Sequence, residues 1–187
     1  MESQQSTISD DRLTAKEHRL LRLAFDASYS ATCPREKHGC IIARCGIIVA
    51  TGYNGSADGE PHCDEVGCDI VSVTRDSVEY ETDCMEARFV QHCVRTIHAE
   101  INAITNAAIL GVSIEGCDWY ITGVPCSQCS SVILRTHPRF IWLCTDRGGV
   151  DKRSIETRLT HLRSKHAVCG ISTEGLIDRG ILREGEL

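Results

Sequence analysis

The chain alternates between stretches with a helical period of apolar residues and short apolar runs typical of strands. Over residues 13–29 the apolar positions recur at helical spacing, which predicts an amphipathic helix. The runs GCIIA and GIIVATGY flank Arg44-Cys45-Gly46, and this spacing predicts a hairpin whose two strands are both largely buried. Further on, HAEINAITNAAIL predicts a helix that ends near Gly111.

The second half of the chain continues the alternation. DWYITGV and RFIWLCT predict buried strands on either side of a helix that begins at Pro125. DKRSIETRLTHLRSKH predicts another helix, and a last strand follows near residues 167–172. Strands that alternate with helices imply parallel crossovers. The predicted fold class is therefore α/β, a three-layer α-β-α sandwich with an antiparallel edge supplied by the hairpin.

Residues 55–95 interrupt this pattern, because Gly, Asp, Glu, Pro, Cys and charged residues dominate and no apolar period persists. A loop of this length inside a compact domain needs something local to order it. We expect one domain over residues 1–187, with a cysteine-rich insertion at about 55–95.

Composition narrows the classes of function. A chain of 187 residues with 42% apolar content is enough for one buried core. The polar start MESQQSTISDD lacks a signal-peptide pattern, so we expect a soluble, cytoplasmic protein, located in the host cytoplasm if it is viral. A net charge of -6 argues against a polynucleotide partner. The 12 cysteines fit reduced thiols or metal ligands better than a disulfide framework.

Two short motifs carry the chemistry. His98-x-Glu100 and Cys126-x-x-Cys129 are each expected roughly 0.6 to 0.8 times by chance in a chain of this composition. Pro-Cys-x-x-Cys has chance odds of only about 0.02, because proline is scarce here. The combination is therefore informative where its halves are not.

The spacing predicts a catalytic zinc site. Cys126 and Cys129 project from one face of a helix start, where thiolates are favoured, and Pro125 suits the first turn. His98 supplies the third ligand and leaves the fourth position to water, while Glu100 beside it moves protons. This arrangement matches the zinc deaminase signature. The alternative is a closed structural site with Cys117 or Cys144 as fourth ligand, which leaves Glu100 without a role.

These motifs, HAEINAITNAA and GVPCSQC with GYNGSADG upstream, resemble the deoxycytidylate deaminases of the cytidine deaminase superfamily. PHCDEVGC and HCVRTIHAE resemble its cysteine-rich type from bacteria and phages, and the resemblance covers about residues 13–172. It implies a five-stranded mixed sheet between helices and hydrolysis of dCMP to dUMP and ammonia, on the route to thymidylate. It further implies a homo-oligomer, commonly a hexamer, with dCTP as activator and dTTP as inhibitor. Mg²⁺ would accompany an allosteric nucleotide.

The resemblance also assigns residues. The zinc ligands fall on His98, Cys126 and Cys129, the proton-shuttling glutamate falls on Glu100, and the asparagine that contacts the sugar falls on Asn54. We therefore expect the substrate-binding residues to be Tyr53, Asn54, Gly55, Ala99 and Arg147. From local sequence alone, Asn54 has another interpretation as a turn residue with positive φ.

Two departures from the family pattern stand out. Where members often have a tyrosine that helps enclose the substrate, this chain has TDRGGVD. Arg147 contacts the phosphate in its place, or is simply a solvated surface arginine. The acidic stretch 69–92 also differs from the short loop of the bacterial competence branch, which points to altered regulation or nucleotide preference.

A second, structural zinc would order the insertion. The candidate ligands are Cys33, Cys63 and Cys93 with either Cys68 or His92, since tetrahedral Cys/His ligation substitutes for a local hydrophobic core. Family members of this type carry such an ion. The alternative is a set of ordinary reduced thiols.

Three kinds of function compete. The first is deamination of dCMP or of another cytosine nucleotide, namely dCTP, CMP or a 5-substituted dCMP. The second keeps the chemistry but acts on a tRNA adenosine, guanine, a riboflavin precursor or free cytidine; the absence of a basic, aromatic-rich stripe disfavours polynucleotide editing. The third is a catalytically silent, zinc-stabilised interaction module.

Overall fold

A computed structural model describes residues 13–72, 91–147, 159–160, 162–163 and 167–186. The elements, in chain order, are α1 (Ala15–Ser28), β1 (Gly39–Arg44), β2 (Ile47–Tyr53), α2 (Cys63–Val66), β3 (Ile70–Ser72), β4 (Gln91–Cys93), α3 (Ala99–Ile109), β5 (Asp118–Ile121), α4 (Ser127–Arg135), β6 (Phe140–Cys144), β7 (Ala167–Ile171) and α5 (Thr173–Asp178).

Five of these strands form one mixed sheet in the order β2-β1-β5-β6-β7. β1 is antiparallel to both of its neighbours, and β5, β6 and β7 run parallel to one another. The five-stranded mixed sheet with an antiparallel hairpin edge is therefore confirmed.

Alternate residues of the central strands pack into two separate cores. Ile42, Trp119 and Ile141 lie in one core with the buried side of α3. On the same three strands, Ile41 and the residues that directly follow Trp119 and Ile141 lie in the other core, with α1. This period of two is what a sheet covered on both faces requires. The three-layer α-β-α sandwich is confirmed.

The hairpin differs from its prediction in one respect. β1 is almost wholly buried, but β2 is an edge strand whose residues are largely exposed or half-buried. The prediction of two largely buried strands is wrong for β2, because an edge strand is covered by a neighbouring strand on one side only.

The described part of the insertion contains regular structure that its sequence pattern does not reveal. α2 has four residues, and β3 pairs antiparallel with β4 through Ile70 opposite Cys93. Elements this short span too few residues for a period to be recognised. Residues 73–90 of the insertion, and with them most of the acidic stretch, lie outside the described residues.

The C-terminal part confirms the last strand as β7. Of the helix predicted over 151–166, residues 159–160 and 162–163 are described and helical, with Leu159 and Leu162 buried; the rest lies outside the described residues. α5 is not predicted by the pattern. Its six residues begin where the Ser172 hydroxyl accepts a hydrogen bond from the Gly175 N–H. None of the helices in the described ranges is long and apolar enough to cross a membrane.

Candidate functional site

The first turns of α3 and α4 bring the two motifs together. His98 is the N-cap of α3 and Cys126 is the N-cap of α4. The Cys126 sulphur accepts a hydrogen bond from the Cys129 backbone N–H at 3.4 Å, so one side chain both caps the helix and faces the site. α4 thus begins at Ser127, and the prediction that it begins at Pro125 is wrong because the cap takes the position after the proline.

Three donor atoms converge there. The Nδ1 atom of His98 lies 3.6 Å from the Cys126 sulphur and 3.4 Å from the Cys129 sulphur, and all three atoms lie within 4.8 Å of one another. Tetrahedral zinc with ordinary Zn–S and Zn–N bonds separates such ligands by about 3.5 Å. The donor set and its spacing therefore fit a zinc ion.

Hydrogen bonding among these groups perturbs their protonation. The hydrogen bond with Cys126 raises the pKa of His98 above its usual value. The hydrogen bonds from Cys129 and from His98 lower the pKa of Cys126, although burial opposes this, and the pKa of Cys129 is raised. Closely spaced ionisable groups shift one another's pKa values in this way, so the three ligands titrate as a coupled group.

Glu100 lies beside this group without belonging to it. It is the second residue of α3 and is 6% exposed. The pKa of Cys129 is raised chiefly by its hydrogen bond with Cys126, and the negative charge of Glu100 raises it further. The pKa of Cys40 is raised chiefly by burial, and Glu100 again adds to the shift. The Glu100 carboxylate is therefore buried close to the thiols of Cys129 and Cys40.

A fourth protein ligand is not found among the described residues. The His98, Cys126 and Cys129 group includes neither Cys117 nor Cys144. Cys144 packs on the other face of the sheet, where its thiol donates to the Asp146 carboxylate at 3.0 Å. The described residues therefore give no support to the closed structural site.

Asn54 is brought beside the site by a backbone bridge. Gly55 and Ile97 exchange two backbone hydrogen bonds, of 3.1 and 2.8 Å, which join the Asn54 loop to the residue before His98. The buried Asn54 side chain accepts from the His38 N–H at 2.7 Å and donates to the Glu36 carbonyl at 2.8 Å.

These hydrogen bonds define what Asn54 does in the fold. Among the described non-glycine residues, positive φ occurs only at Cys45 and His137, so the interpretation of Asn54 as a left-handed turn residue is wrong. The amide instead ties the loop before β1 to the end of β2. Among the described residues the amide accepts one hydrogen bond and donates one, which leaves one N–H and one lone pair for a further contact.

The other predicted substrate contacts lie around this loop. Tyr53 is 43% exposed, and its carbonyl accepts from the Asn102 side chain at 2.8 Å. The Ala99 side chain is fully buried in the core.

Arg147 is not a solvated surface residue. It is half-buried, its Nη2 donates to the Lys37 carbonyl at 2.9 Å, and its guanidinium lies 5.6 Å from the centre of the Phe25 ring. Its Nη1 is buried with no hydrogen-bond partner among the described residues. Its own carbonyl accepts from the Val124 N–H at 2.9 Å, two residues before Cys126. Arg147 thus connects α1, the loop before β1 and the loop that carries Cys126.

Sequence reasoning missed His38. Its ring packs against Gly123, and its Nδ1 lies 3.4 Å from the Thr122 hydroxyl while its Nε2 pairs with Glu36 at 3.2 Å. His38 therefore borders the loop that leads to Cys126. No local pattern points to it, because a lone histidine before a strand carries no motif.

A second group of thiols forms in the insertion. The sulphur atoms of Cys63, Cys68 and Cys93 lie within 4.8 Å of one another, and those of Cys63 and Cys93 are 3.7 Å apart. Cys33 is outside that group, although its charge is among those that raise the pKa of Cys68 to about 11, after the larger effects of burial and of Cys93. The side chain of His92 lies outside the described residues.

The environment of Cys93 favours its thiolate. Burial opposes ionisation, but hydrogen bonds from the Thr96 hydroxyl and from the backbone N–H of Arg95 bring the pKa of Cys93 down to about 7. The three sulphurs lie within 4.8 Å of one another, which is close enough for them to hold one metal ion together with one further ligand.

Comparison with known proteins points to one family. The model of the cytidine and deoxycytidylate deaminase zinc-binding region matches residues 14–145. The chain is similar to ComE operon protein 2 of Bacillus subtilis, with 34% identity over 116 residues, 62% of this chain and 52% of that protein. It is also similar to the deoxycytidylate deaminase of enterobacteria phage T2, with 30% identity over 145 residues, 67% of this chain and 77% of the phage protein.

The fold has counterparts among solved structures. The dCMP deaminase of cyanophage S-TIM5, in complex with dCMP and dUMP, is similar with a TM-score of 0.59 and 22% identity, over 85% of this chain and 99% of that one. The chain spans about half the length of ComE operon protein 2 and about three quarters of the phage T2 protein.

Proposed function

Because the chain belongs to the cytidine and deoxycytidylate deaminase family, we propose that it hydrolyses dCMP to dUMP and ammonia and thereby supplies dUMP for thymidylate synthesis. The observation that carries the proposal is the convergence of His98, Cys126 and Cys129, with the buried Glu100 beside them. The relatives named deoxycytidylate deaminase support dCMP as the substrate.

In the proposed reaction, His98, Cys126 and Cys129 hold zinc. Zinc held in this way is a Lewis acid that lets water act as a nucleophile near neutral pH. The Glu100 carboxylate takes one proton from the attacking water and delivers it to the pyrimidine nitrogen next to C4, and then takes the second proton from the oxygen now on C4 and delivers it to the departing amino group. A C4–O bond forms and the bond from C4 to the amino nitrogen breaks, so that water and dCMP give dUMP and ammonia.

Asn54 is proposed to hold the sugar. Its side-chain amide is already held by hydrogen bonds with the backbone N–H of residue 38 and the carbonyl of residue 36. The second N–H of the amide is therefore oriented before the substrate binds. Tyr53, Gly55 and Ala99 lie on the same joined segments and complete the proposed contacts. Arg147 is proposed to act on the phosphate through its Nη1, which has no hydrogen-bond partner among the described residues.

The test is a side-by-side assay of purified protein with dCMP, 5-methyl-dCMP, dCTP, CMP and cytidine, followed by ultraviolet absorbance. We expect dCMP to have the highest kcat/KM, since the relatives named deoxycytidylate deaminase favour a deoxynucleoside monophosphate. Equal turnover of cytidine and dCMP would overturn the choice of substrate. Absence of turnover with every cytosine compound, in protein that retains zinc, would favour the silent interaction module.

Regulation belongs to the same proposal. We expect dCTP with Mg²⁺ to activate and dTTP to inhibit, in a homo-oligomer that is commonly a hexamer in this family. Adding each nucleotide to the dCMP assay tests this directly. Rates that do not change with either nucleotide would remove regulation from the proposal while leaving the reaction intact.

A second zinc is proposed at Cys63, Cys68 and Cys93, with Cys33 or His92 as the remaining ligand. The 3.7 Å separation of the Cys63 and Cys93 sulphurs supports it, because it is close to the spacing of two thiolates on one zinc.

Metal analysis tests this second site. We expect close to two zinc ions per chain, and a loss of about one in Cys63→Ser. The matched control is Cys45→Ser, since Cys45 is exposed and belongs to neither thiol group. One zinc per chain in the unmodified protein, with none lost in Cys63→Ser, would contradict the second site.

A further inference from the structure

The three residues before β1 hold both of the side chains that are proposed to grip the substrate's sugar and phosphate. We refer to Glu36, Lys37 and His38 as the pre-strand segment. The Glu36 carbonyl accepts from the Asn54 side-chain amide at 2.8 Å, and the His38 N–H donates to that amide at 2.7 Å. The Lys37 carbonyl accepts from the Arg147 guanidinium at 2.9 Å. A shift of the pre-strand segment would therefore move Asn54 and Arg147 together.

The side chain of His38 fastens this segment to the sheet. Its Nε2 lies 3.2 Å from the Glu36 carboxylate, and its Nδ1 lies 3.4 Å from the hydroxyl of Thr122, the buried residue after β5. Because a carboxylate only accepts hydrogen bonds, Nε2 carries the hydrogen, and the Thr122 hydroxyl donates to Nδ1 of the neutral ring. The same hydroxyl accepts from the Gly39 N–H at the start of β1, at 2.9 Å. Alanine at position 38 would lose both contacts of the ring.

The His38 ring also packs on the loop that leads to the candidate metal site. A Cβ atom at Gly123 would lie 2.8 Å from the ring carbon Cε1 of His38 and 3.1 Å from the Arg147 carbonyl oxygen. Only a residue without a side chain lets the ring come this close. The Arg147 carbonyl accepts from the Val124 N–H at 2.9 Å, two residues before Cys126. The ring thus lies between the pre-strand segment and the loop that carries Cys126.

From these contacts we infer that His38 is a positioning residue for the proposed deamination. Its ring sets how far the pre-strand segment lies from the loop that carries Cys126, and so fixes Asn54 and Arg147 relative to the candidate metal site. A substrate that is held by its sugar and its phosphate presents C4 of the pyrimidine correctly only when these two anchors lie at the right distance. The inference rests on the proposed function, because it concerns the placement of that reaction's substrate.

The experiment is steady-state kinetics on dCMP with His38→Ala, Arg147→Ala and the double variant. His38→Ala is expected to raise KM for dCMP about tenfold and to lower kcat less than about threefold, because it loosens the grip on the substrate but leaves the metal ligands and Glu100 in place. Arg147→Ala is expected to raise KM as well. If His38 acts through Arg147, the rise in KM of the double variant should be smaller than the product of the two single effects. A loss that is merely structural would multiply them.

His18→Ala is the matched control. His18 is another half-buried histidine, in α1, and its Nε2 donates to the Arg179 carbonyl at 2.8 Å, outside the contacts described above. Its loss should leave KM for dCMP unchanged. His38→Gln keeps a donor for the Glu36 carboxylate, so it should raise KM less than His38→Ala does. Zinc content and circular dichroism show whether each variant is folded, and His38→Gln takes the place of His38→Ala in the cycle if the alanine variant is not.

The outcomes separate this inference from the proposed function. A folded, zinc-loaded unmodified protein that does not turn over dCMP would remove the proposed function, and the role of His38 with it. Turnover by the unmodified protein, together with an unchanged KM in both His38 variants, would overturn the inference alone. Effects of His38→Ala and Arg147→Ala that multiply in the double variant would also overturn it.

Discussion

At the scale of single residues, the site depends on what an N-cap position offers. His98 and Cys126 both have extended backbone angles and both precede the first turn of a helix. A side chain at that position turns back over free backbone N–H groups, as the Cys126 sulphur does toward Cys129. Two such caps facing each other bring donors from distant parts of the sequence to within bonding distance of one ion.

Glu100 gives the sharpest prediction at this scale. Glu100→Gln removes the proton acceptor but keeps the size of the side chain, so it should retain zinc and lose about 10³-fold in kcat for dCMP. A deamination assay measures the loss in kcat, and zinc analysis of the same protein measures metal retention. Glu115→Gln, a change of the same kind at an exposed residue, is the control and should leave the rate unchanged. Turnover of Glu100→Gln at the unmodified rate would refute the assigned role.

At the scale of elements, the site depends on a close approach between β2 and α3. A Cβ atom at Gly52 would lie 2.2 Å from the Ala99 carbonyl oxygen and 2.4 Å from the Ala103 nitrogen. Only glycine allows the helix to sit this near the strand. Gly52, the first glycine in TGYNG, therefore sets the position of α3, whose N-cap is His98.

Gly52→Ala should push α3 away from the sheet. We expect a decrease of about 1 to 3 kcal/mol in the free energy of unfolding, together with weaker zinc retention, because the added methyl group meets backbone and not a side chain that can move. Denaturant unfolding and competition with a chelator measure the two effects. Gly175→Ala in α5 meets only side-chain atoms, at 3.1 and 3.3 Å, and should change neither measurement appreciably. Gly52→Ala with unchanged zinc retention would show that this approach does not position His98.

At the scale of the whole molecule, the C-terminal residues close onto the first helix. Arg22 of α1 donates to both carboxylate oxygens of Glu186, at 2.8 and 2.5 Å, and to the Ile181 carbonyl at 3.0 Å. The Tyr29 hydroxyl donates to the Glu186 carbonyl at 3.0 Å. These contacts hold the segment after α5 against the α1 side of the sheet, opposite the side that carries the candidate site.

This contact predicts a pH dependence. The hydrogen bond from Arg22 lowers the pKa of Glu186 to about 2 from its ordinary 4.5. A carboxylate whose pKa is lowered by folding stabilises the fold above its unfolded pKa, and this contribution is lost as the pH falls through the folded value. Glu186→Gln should therefore lower Tm at pH 7, and the difference from the unmodified protein should shrink between about pH 4.5 and pH 2.

Thermal unfolding at pH 7 and at pH 3 measures the effect. Glu184→Gln, an exposed neighbour in the same segment, is the control and should follow the unmodified protein at both values. A Tm difference for Glu186→Gln that stays constant across this range would mean that the Arg22 ion pair does not carry the effect.

The sequence predicted elements wherever a period ran for several turns or strands. The long helix α1, the hairpin, α3 and the three parallel strands follow from such periods, and the order of helix and strand led to the sandwich. The sequence pattern did not predict α2, β3, β4 and α5. These elements have only three to six residues, and their structure depends on tertiary contacts and caps. It also misjudged β2, because a pattern of apolar residues does not tell an edge strand from a central one.

For the site, the sequence by itself determined the residue types and their order: a histidine and a glutamate at one helix start, and a proline with two cysteines at another. Tertiary structure decided what these residues meet. The 3.4 to 3.6 Å spacing of the donor atoms, the fixing of Asn54 by residues 36 and 38, and the half-buried place of Arg147 all join segments far apart in the chain. Local periodicity records which face of an element is buried, whereas these distances depend on how the elements pack together.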